Sequence, residues 1–169
     1  MRYVGWGAII ALVAVVGGLF MAAGFGLVPV DAVSSPPKWE EAIAGYALDH
    51  AIARKAARLH DPFEANEDNL RAGMVLYEHK CAGCHGDGKG TSVLGPKGFY
   101  PRIPQFGADG FDLSAQEAFV VAKYGIRYSA MPGWNGVMAD DDIWRVTTFL
   151  SHLSSLPPSV AAAWQGPPK

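Results

Sequence analysis

The sequence predicts an all-helical chain, and three observations carry that prediction. The 28 residues 3–30 carry no charge; the segments 38–60, 66–80, 112–124 and 140–156 each read as a helix; and the long stretch between the second and third of these is a loop rich in Gly and Pro. At 169 residues, half of them hydrophobic and with a formal net charge of −2, the chain suits one small domain plus an appendage. No charge excess points to nucleic acid as a partner.

The uncharged run is longer than the roughly 20 residues a helix needs to cross a bilayer, and longer than the apolar core of a cleavable signal peptide. It predicts a retained signal-anchor over residues 1–33, although Val30-Asp31-Ala32 also resembles a small-x-small cleavage site. The amino terminus and Arg2 are the positive groups before the run, which favours an inside N-terminus and an exported remainder. Ala14, Gly18, Ala22 and Gly26 recur every four residues, a spacing that lets a partner helix approach closely.

Ser34-Ser35-Pro36-Pro37 reads as a stiff break. In 38–60, Glu40 and Glu41 lie early and Arg54, Lys55 and Arg58 late, which suits the helix dipole. Trp39, Ile43 and Tyr46 or Ala47 share one side, so this amphipathic helix is expected to pack through them, and Pro62 to end it. His50 and His60 read as solvated or hydrogen-bonded residues rather than ligands. Asn66–Asp68 supply the N-cap of the next helix, in which Gly73 and Tyr77 lie four apart on one face. A glycine there lets a second helix cross closely.

That helix runs into Cys81-Ala82-Gly83-Cys84-His85, which contains both cysteines of the chain. C-x-x-C-H is the attachment pattern of a c-type haem. Two thiols one turn apart can form thioethers with two vinyl groups of one porphyrin, and the next residue can offer an imidazole to the iron. A structural zinc site needs four ligands, and no third cysteine is present. A redox C-x-x-C expects a βαβ setting, which these surroundings lack.

Residues 86–111 hold seven glycines and three prolines, a loop long enough to expect something to pack around. Within Leu94-Gly95-Pro96, the Pro96 carbonyl is a candidate acceptor for the second nitrogen of His85, with simple turn formation as the alternative. Asp112 or Ser114 can cap the following helix, with Glu117 completing a capping box, and Gly125 ends it. Met131 follows in a short loop with Pro132 and Gly133, 46 residues after His85. A thioether is a soft iron ligand, and a Met in such a turn is poorly placed to fill a core; Met138 is the rival, and Met74 sits inside a helix. The last helix is expected to be capped around Asp140–Asp142, with Trp144 and Phe149 among its faces as partners for Gly73 and Tyr77. The tail, 157–169, carries four prolines and is expected to be extended.

Taken together, Gly73, Tyr77, Cys81–Gly86, Gly95-Pro96, Met131-Pro132 and the helix Trp144–Leu150 resemble a class I c-type cytochrome over about 66–156. The resemblance is to small membrane-bound monohaem cytochromes of bacterial electron-transfer chains, in the cytochrome c6/cbb3-subunit-like group. It implies a cytochrome c fold around one haem c, held covalently through Cys81 and Cys84, with His85 proximal and Met131 distal. The membrane helix and residues 38–65 lie outside it. Arg102 and Arg127 are candidate partners of the haem propionates, and Trp134 is a candidate pocket residue.

The expected function is single-electron transfer between membrane or periplasmic redox partners, with an oxidase or dehydrogenase complex as a candidate assembly. The expected location is the bacterial inner membrane, single-pass, with the haem domain on the outer face. The alternative is a haem enzyme or gas sensor whose distal Met dissociates to admit a ligand.

Overall fold

A computed structural model describes residues 2–93 and 95–166. Met1, Leu94 of the Leu94-Gly95-Pro96 turn, and the tail residues 167–169 lie outside the described residues. The described chain is helical with no β-strand, and its contacts divide it into two units, Met1–Ser34 and Ser35–Lys169.

The first unit is built on α1 (Arg2–Gly24), whose stretch Trp6–Gly24 has a mean hydropathy of 2.3 and no buried residue. Length and composition qualify it to cross a membrane, and a signal sequence would meet the same standard. The helix ends at Gly24, so Gly26 lies beyond the helical stripe of small residues expected to include it. Gly26 takes φ +69°, and the Leu27 N–H donates to the Ala22 carbonyl at 2.9 Å, a glycine-terminated helix end. Asp31 then folds the chain locally by accepting from the Val33 and Ser34 N–H groups.

In the second unit, α2 (Lys38–Ala56) ends four residues before the expected His60. Its packing face also differs from expectation. Ile52 and Ala56 are buried against Val120, with Leu48 beside them, whereas Trp39, Ile43 and Tyr46 are each about two-thirds exposed (67, 65 and 67%). At 100° per residue these are opposite sides of one helix, so α2 has two apolar faces and the fold covers one.

α3 (Glu67–Lys80) begins at Asn66, whose side chain accepts from the Asn69 N–H at 2.9 Å. It continues through Cys81 into the single turn α4 (Ala82–His85). The 86–111 loop holds one more short turn, α5 (Phe106–Asp109). α6 (Ala115–Tyr124) carries the complete Ser114–Glu117 capping box and stops at Gly125, φ +69°. α7 (Asp140–Ser151) starts from Ala139 with no side-chain cap; Asp140–Asp142 fill its first turn instead, where carboxylates favour the helix dipole.

α7 is the axis of the unit. It crosses α3 at Gly73, where the Arg145 backbone lies too close for any side chain. Leu70, Met74 and Tyr77 pack on Val146, Phe149 and Leu150 there. On its other side Trp144 stacks on Phe119 of α6, ring centroids 4.0 Å apart and 11° between planes.

The tail is not extended. After a 3-10 turn (Leu153–Ser155), Pro158 opens α8 (Pro158–Gln165), which buries Val160 and Trp164. Trp164 meets Tyr77 and Phe149 edge-on at 5.5 and 5.3 Å, making the aromatic heart of the core. The prolines that suggested a stop sit instead at the N-cap and N1 positions, where a missing N–H costs nothing.

Candidate functional site

The tail helix, α3 and the loop together fix the Cys81–His85 turn. The fully buried Tyr77 hydroxyl donates to the Gly86 carbonyl at 2.7 Å, tying the end of the turn to the core. Burial holds the phenol far above its ordinary range, so it remains a donor at all working pH. Tyr77→Phe is expected to cost about 1–2 kcal/mol, because it leaves a buried carbonyl unpaired without opening a cavity. Urea unfolding of the two full-length proteins measures that difference.

Gln105, 1% exposed, clamps the loop to the same turn. Its Nε2 donates to the Cys84 and Ile103 carbonyls at 3.0 Å each, and its Oε1 accepts from the Ser92 N–H at 2.7 Å. Gly95 passes against the Cys84 carbonyl with no room for a Cβ. Asp109 accepts from the Gln105 N–H at 2.7 Å and pairs with Arg102 at 2.6 Å. These two contacts, the backbone one first, hold its carboxyl below the ordinary value. Arg102 is therefore already paired with a carboxylate on this loop.

His85 is oriented by that loop. Its Nδ1 lies 3.0 Å from the Pro104 carbonyl, and the ring stacks on Phe106 with centroids 4.5 Å apart and 9° between planes. Pro96 is not the acceptor. A carbonyl can only accept, so Nδ1 carries the proton and Nε2 keeps its lone pair in the neutral ring. Burial pulls the His85 pKa below 6.5, outweighing the Pro104 contact that raises it. The ring is thus neutral near pH 7, the form a metal requires.

Facing the turn across a cavity of about 510 Å³ is the loop after α6. A Cβ built on Gly125 would lie only 2.6–2.8 Å from the Gly133 nitrogen, the Pro132 carbonyl carbon and the Met131 carbonyl oxygen, and the Trp134 and Asn135 N–H groups donate to the Ala122 and Lys123 carbonyls at 3.0 Å. Ser129 Oγ accepts from the Met131 N–H at 3.1 Å. The loop is therefore seated on the end of α6, with Met131 half-buried in the cavity wall.

Cys81, Cys84, His85, Met131 and Trp134 all line this one cavity, as do Arg102 and Met138. Arg127 and Pro96 do not line it, and Arg127 is exposed. His50, His60 and His79 are exposed on helix surfaces or loop ends away from it. Cys81 and Cys84 are not joined to each other in a disulfide, and burial pushes the Cys81 thiol up to about 12. Among the described residues no cluster of three or more His, Cys, Asp or Glu forms a metal site of another kind.

The donor set fits a covalently held haem. Two thiols lie at one end of an apolar cavity, a neutral imidazole points its Nδ1 away to a carbonyl, and thioethers stand in the wall. Pro104, Gln105 and Phe106 are the site residues that sequence patterns did not single out for these roles. Each acts through a contact about 20 residues away from its partner, which no local periodicity encodes.

A family profile described as cytochrome C oxidase, cbb3-type, subunit III, matches residues 68–150. Cytochrome c6 of Tetradesmus obliquus is 30% identical over 87 residues, which is 52% of this chain and 93% of that one. No solved structure matches.

Proposed function

The chain belongs to the class I c-type cytochromes, a family of electron carriers, and from that membership we propose that it is a membrane-anchored, monohaem carrier of single electrons. The observation that supports this most is the gathering of Cys81, Cys84, a neutral His85 and Met131 around one apolar cavity.

Cys81 and Cys84 would hold the haem through thioethers, and His85 Nε2 and the Met131 thioether would ligate its iron. When bound, haem iron supplies a one-electron couple, and His–Met ligation raises its potential. The rest belongs to the chain's own residues. Pro104 keeps the His85 ring in one tautomer and orientation. Phe106, Trp134, Ile143 and Leu150 line the cavity and exclude water. Ser129 and Gly125 hold the Met131 loop in place, and a Met131 thioether kept there would leave the iron no open position for a substrate. Electrons enter and leave at the rim, where Cys84, Ala130 and Pro132 are exposed.

The anchor is α1, with its N-terminus inside and the haem domain outside the cytoplasm. Tethering confines the carrier to membrane redox partners and raises its effective concentration there. An oxidase or dehydrogenase complex is the assembly this suits.

The test is purification of the full-length protein in detergent. Haem is expected to remain with the chain after denaturation, and the native ferrous form to resist carbon monoxide. A colourless denatured chain overturns the assignment. Rapid, complete carbon monoxide binding by folded protein replaces the carrier with a ligand-binding haem protein.

A further inference from the structure

The cavity has a wall that the family match leaves out. The matched residues begin at 68, yet Leu48, Asp49 and Ile52 of α2 line the same cavity as His85 and Met131. α2 is fastened there at three places. Ile52 and Ala56 pack on Val120 of α6, the helix whose end seats the Met131 loop. At the start of α2 the Tyr100 hydroxyl donates to Glu40 at 2.6 Å, joining the helix to the loop that carries Pro104. Just after α2, Asp61 accepts from the Thr148 hydroxyl of α7 at 2.6 Å.

We propose that α2 is a wall of the haem site, and that Leu48 and Ile52 are positioning residues that keep water from the haem and so set its potential. This rests on the haem assignment above. The physical reason is that ferric iron carries one more positive charge than ferrous iron, and an apolar surround disfavours that extra charge. A polar side chain in the wall admits solvent and shifts the couple toward the ferric form. The outward face of the same helix, with Trp39, Ile43 and Tyr46, lies on the far side from the cavity and provides an internal control.

The experiment compares Leu48→Gln, Leu48→Met and Ile43→Gln in the full-length, haem-loaded protein. The ferric-to-ferrous ratio is read optically at one fixed electrode poise, with thermal unfolding followed in parallel. Leu48→Gln is expected to raise that ratio at least about threefold, while Leu48→Met and Ile43→Gln leave it unchanged. An unmoved ratio in folded Leu48→Gln overturns the proposal, and so does an equal shift in all three variants. Should Leu48→Gln lose haem, Leu48→Ala is read by the same criterion. A wild-type chain without covalent haem fails the underlying assignment, whereas a red wild type with an unmoved Leu48→Gln fails only this inference.

Discussion

Replacing Gly73 by leucine is expected to destabilise the domain by more than about 4 kcal/mol, and in the stricter case to prevent folding. A Cβ built on Gly73 meets the Arg145 carbonyl group, with its carbon at 2.7 Å, and the Phe149 Cβ at 2.8 Å. Two of these three neighbours are backbone, and the backbone of α7 cannot yield without moving the whole helix. That helix also carries Val146, Phe149 and Leu150 into the core and Trp144 onto Phe119, so displacing it disturbs two clusters at once. Gly73→Ala is expected to cost about 2–3 kcal/mol, since the roughly 1 kcal/mol alanine gains in helix propensity is smaller than the overpacking penalty. Urea unfolding of both variants, followed by tryptophan fluorescence, measures this. Wild-type stability in Gly73→Ala would mean that α3 and α7 do not cross so closely.

The second large effect concerns Met131. Met131→Ala is expected to open the distal position, so that the ferrous protein binds carbon monoxide and the midpoint potential falls by at least about 59 mV, a tenfold change for a one-electron couple. Met138 lines the same cavity and also packs against both core clusters, so the two methionines must be separated by removal. Met138→Ala is expected to cost about 2–3 kcal/mol of stability as a lost core side chain, with carbon monoxide still excluded. The reverse pattern, an unchanged Met131→Ala and an open Met138→Ala, assigns the iron to Met138. The contrast is sharp because Met138 is followed directly by the helix α7, while Met131 stands on a loop held by Gly125 and Ser129.

These two residues also mark how differently parts of the molecule are written in the sequence. Gly73 and Tyr77 lie four apart in a segment of helical period, so their common face is readable, and Phe149 of the partner helix meets it. Trp144, five residues earlier and so on another side, packs on Phe119 instead of on Gly73 and Tyr77. The Ser114–Glu117 box and the Asn66 cap are local in the same way: donor and acceptor lie three residues apart, and the chain between them has one conformation to choose. The face of α2 was misleading for the opposite reason. Trp39, Ile43 and Tyr46 have helical spacing, but so do Leu48, Ile52 and Ala56, and spacing alone does not say which of two apolar sides meets the core.

The C-x-x-C-H pattern is chemistry written in five consecutive residues, and by itself it specifies the kind of group the chain is equipped to hold. The positions of α2, α3, α6 and α7, the uncharged N-terminal run and the Met131 turn followed from spacing and composition in the same local way. Tertiary structure alone decided that Pro104 rather than Pro96 meets His85, that Gln105 clamps the attachment turn, and that Arg102 is taken by Asp109. It also decided that a proline-rich tail becomes α8 and seats Trp164 between Tyr77 and Phe149. The physical reason is common to all of these. Two prolines in one loop have identical local chemistry, and a proline pair can equally end a helix or begin one. Which carbonyl reaches a given nitrogen, and which indole fills a given gap, depends on close packing between segments far apart in the chain.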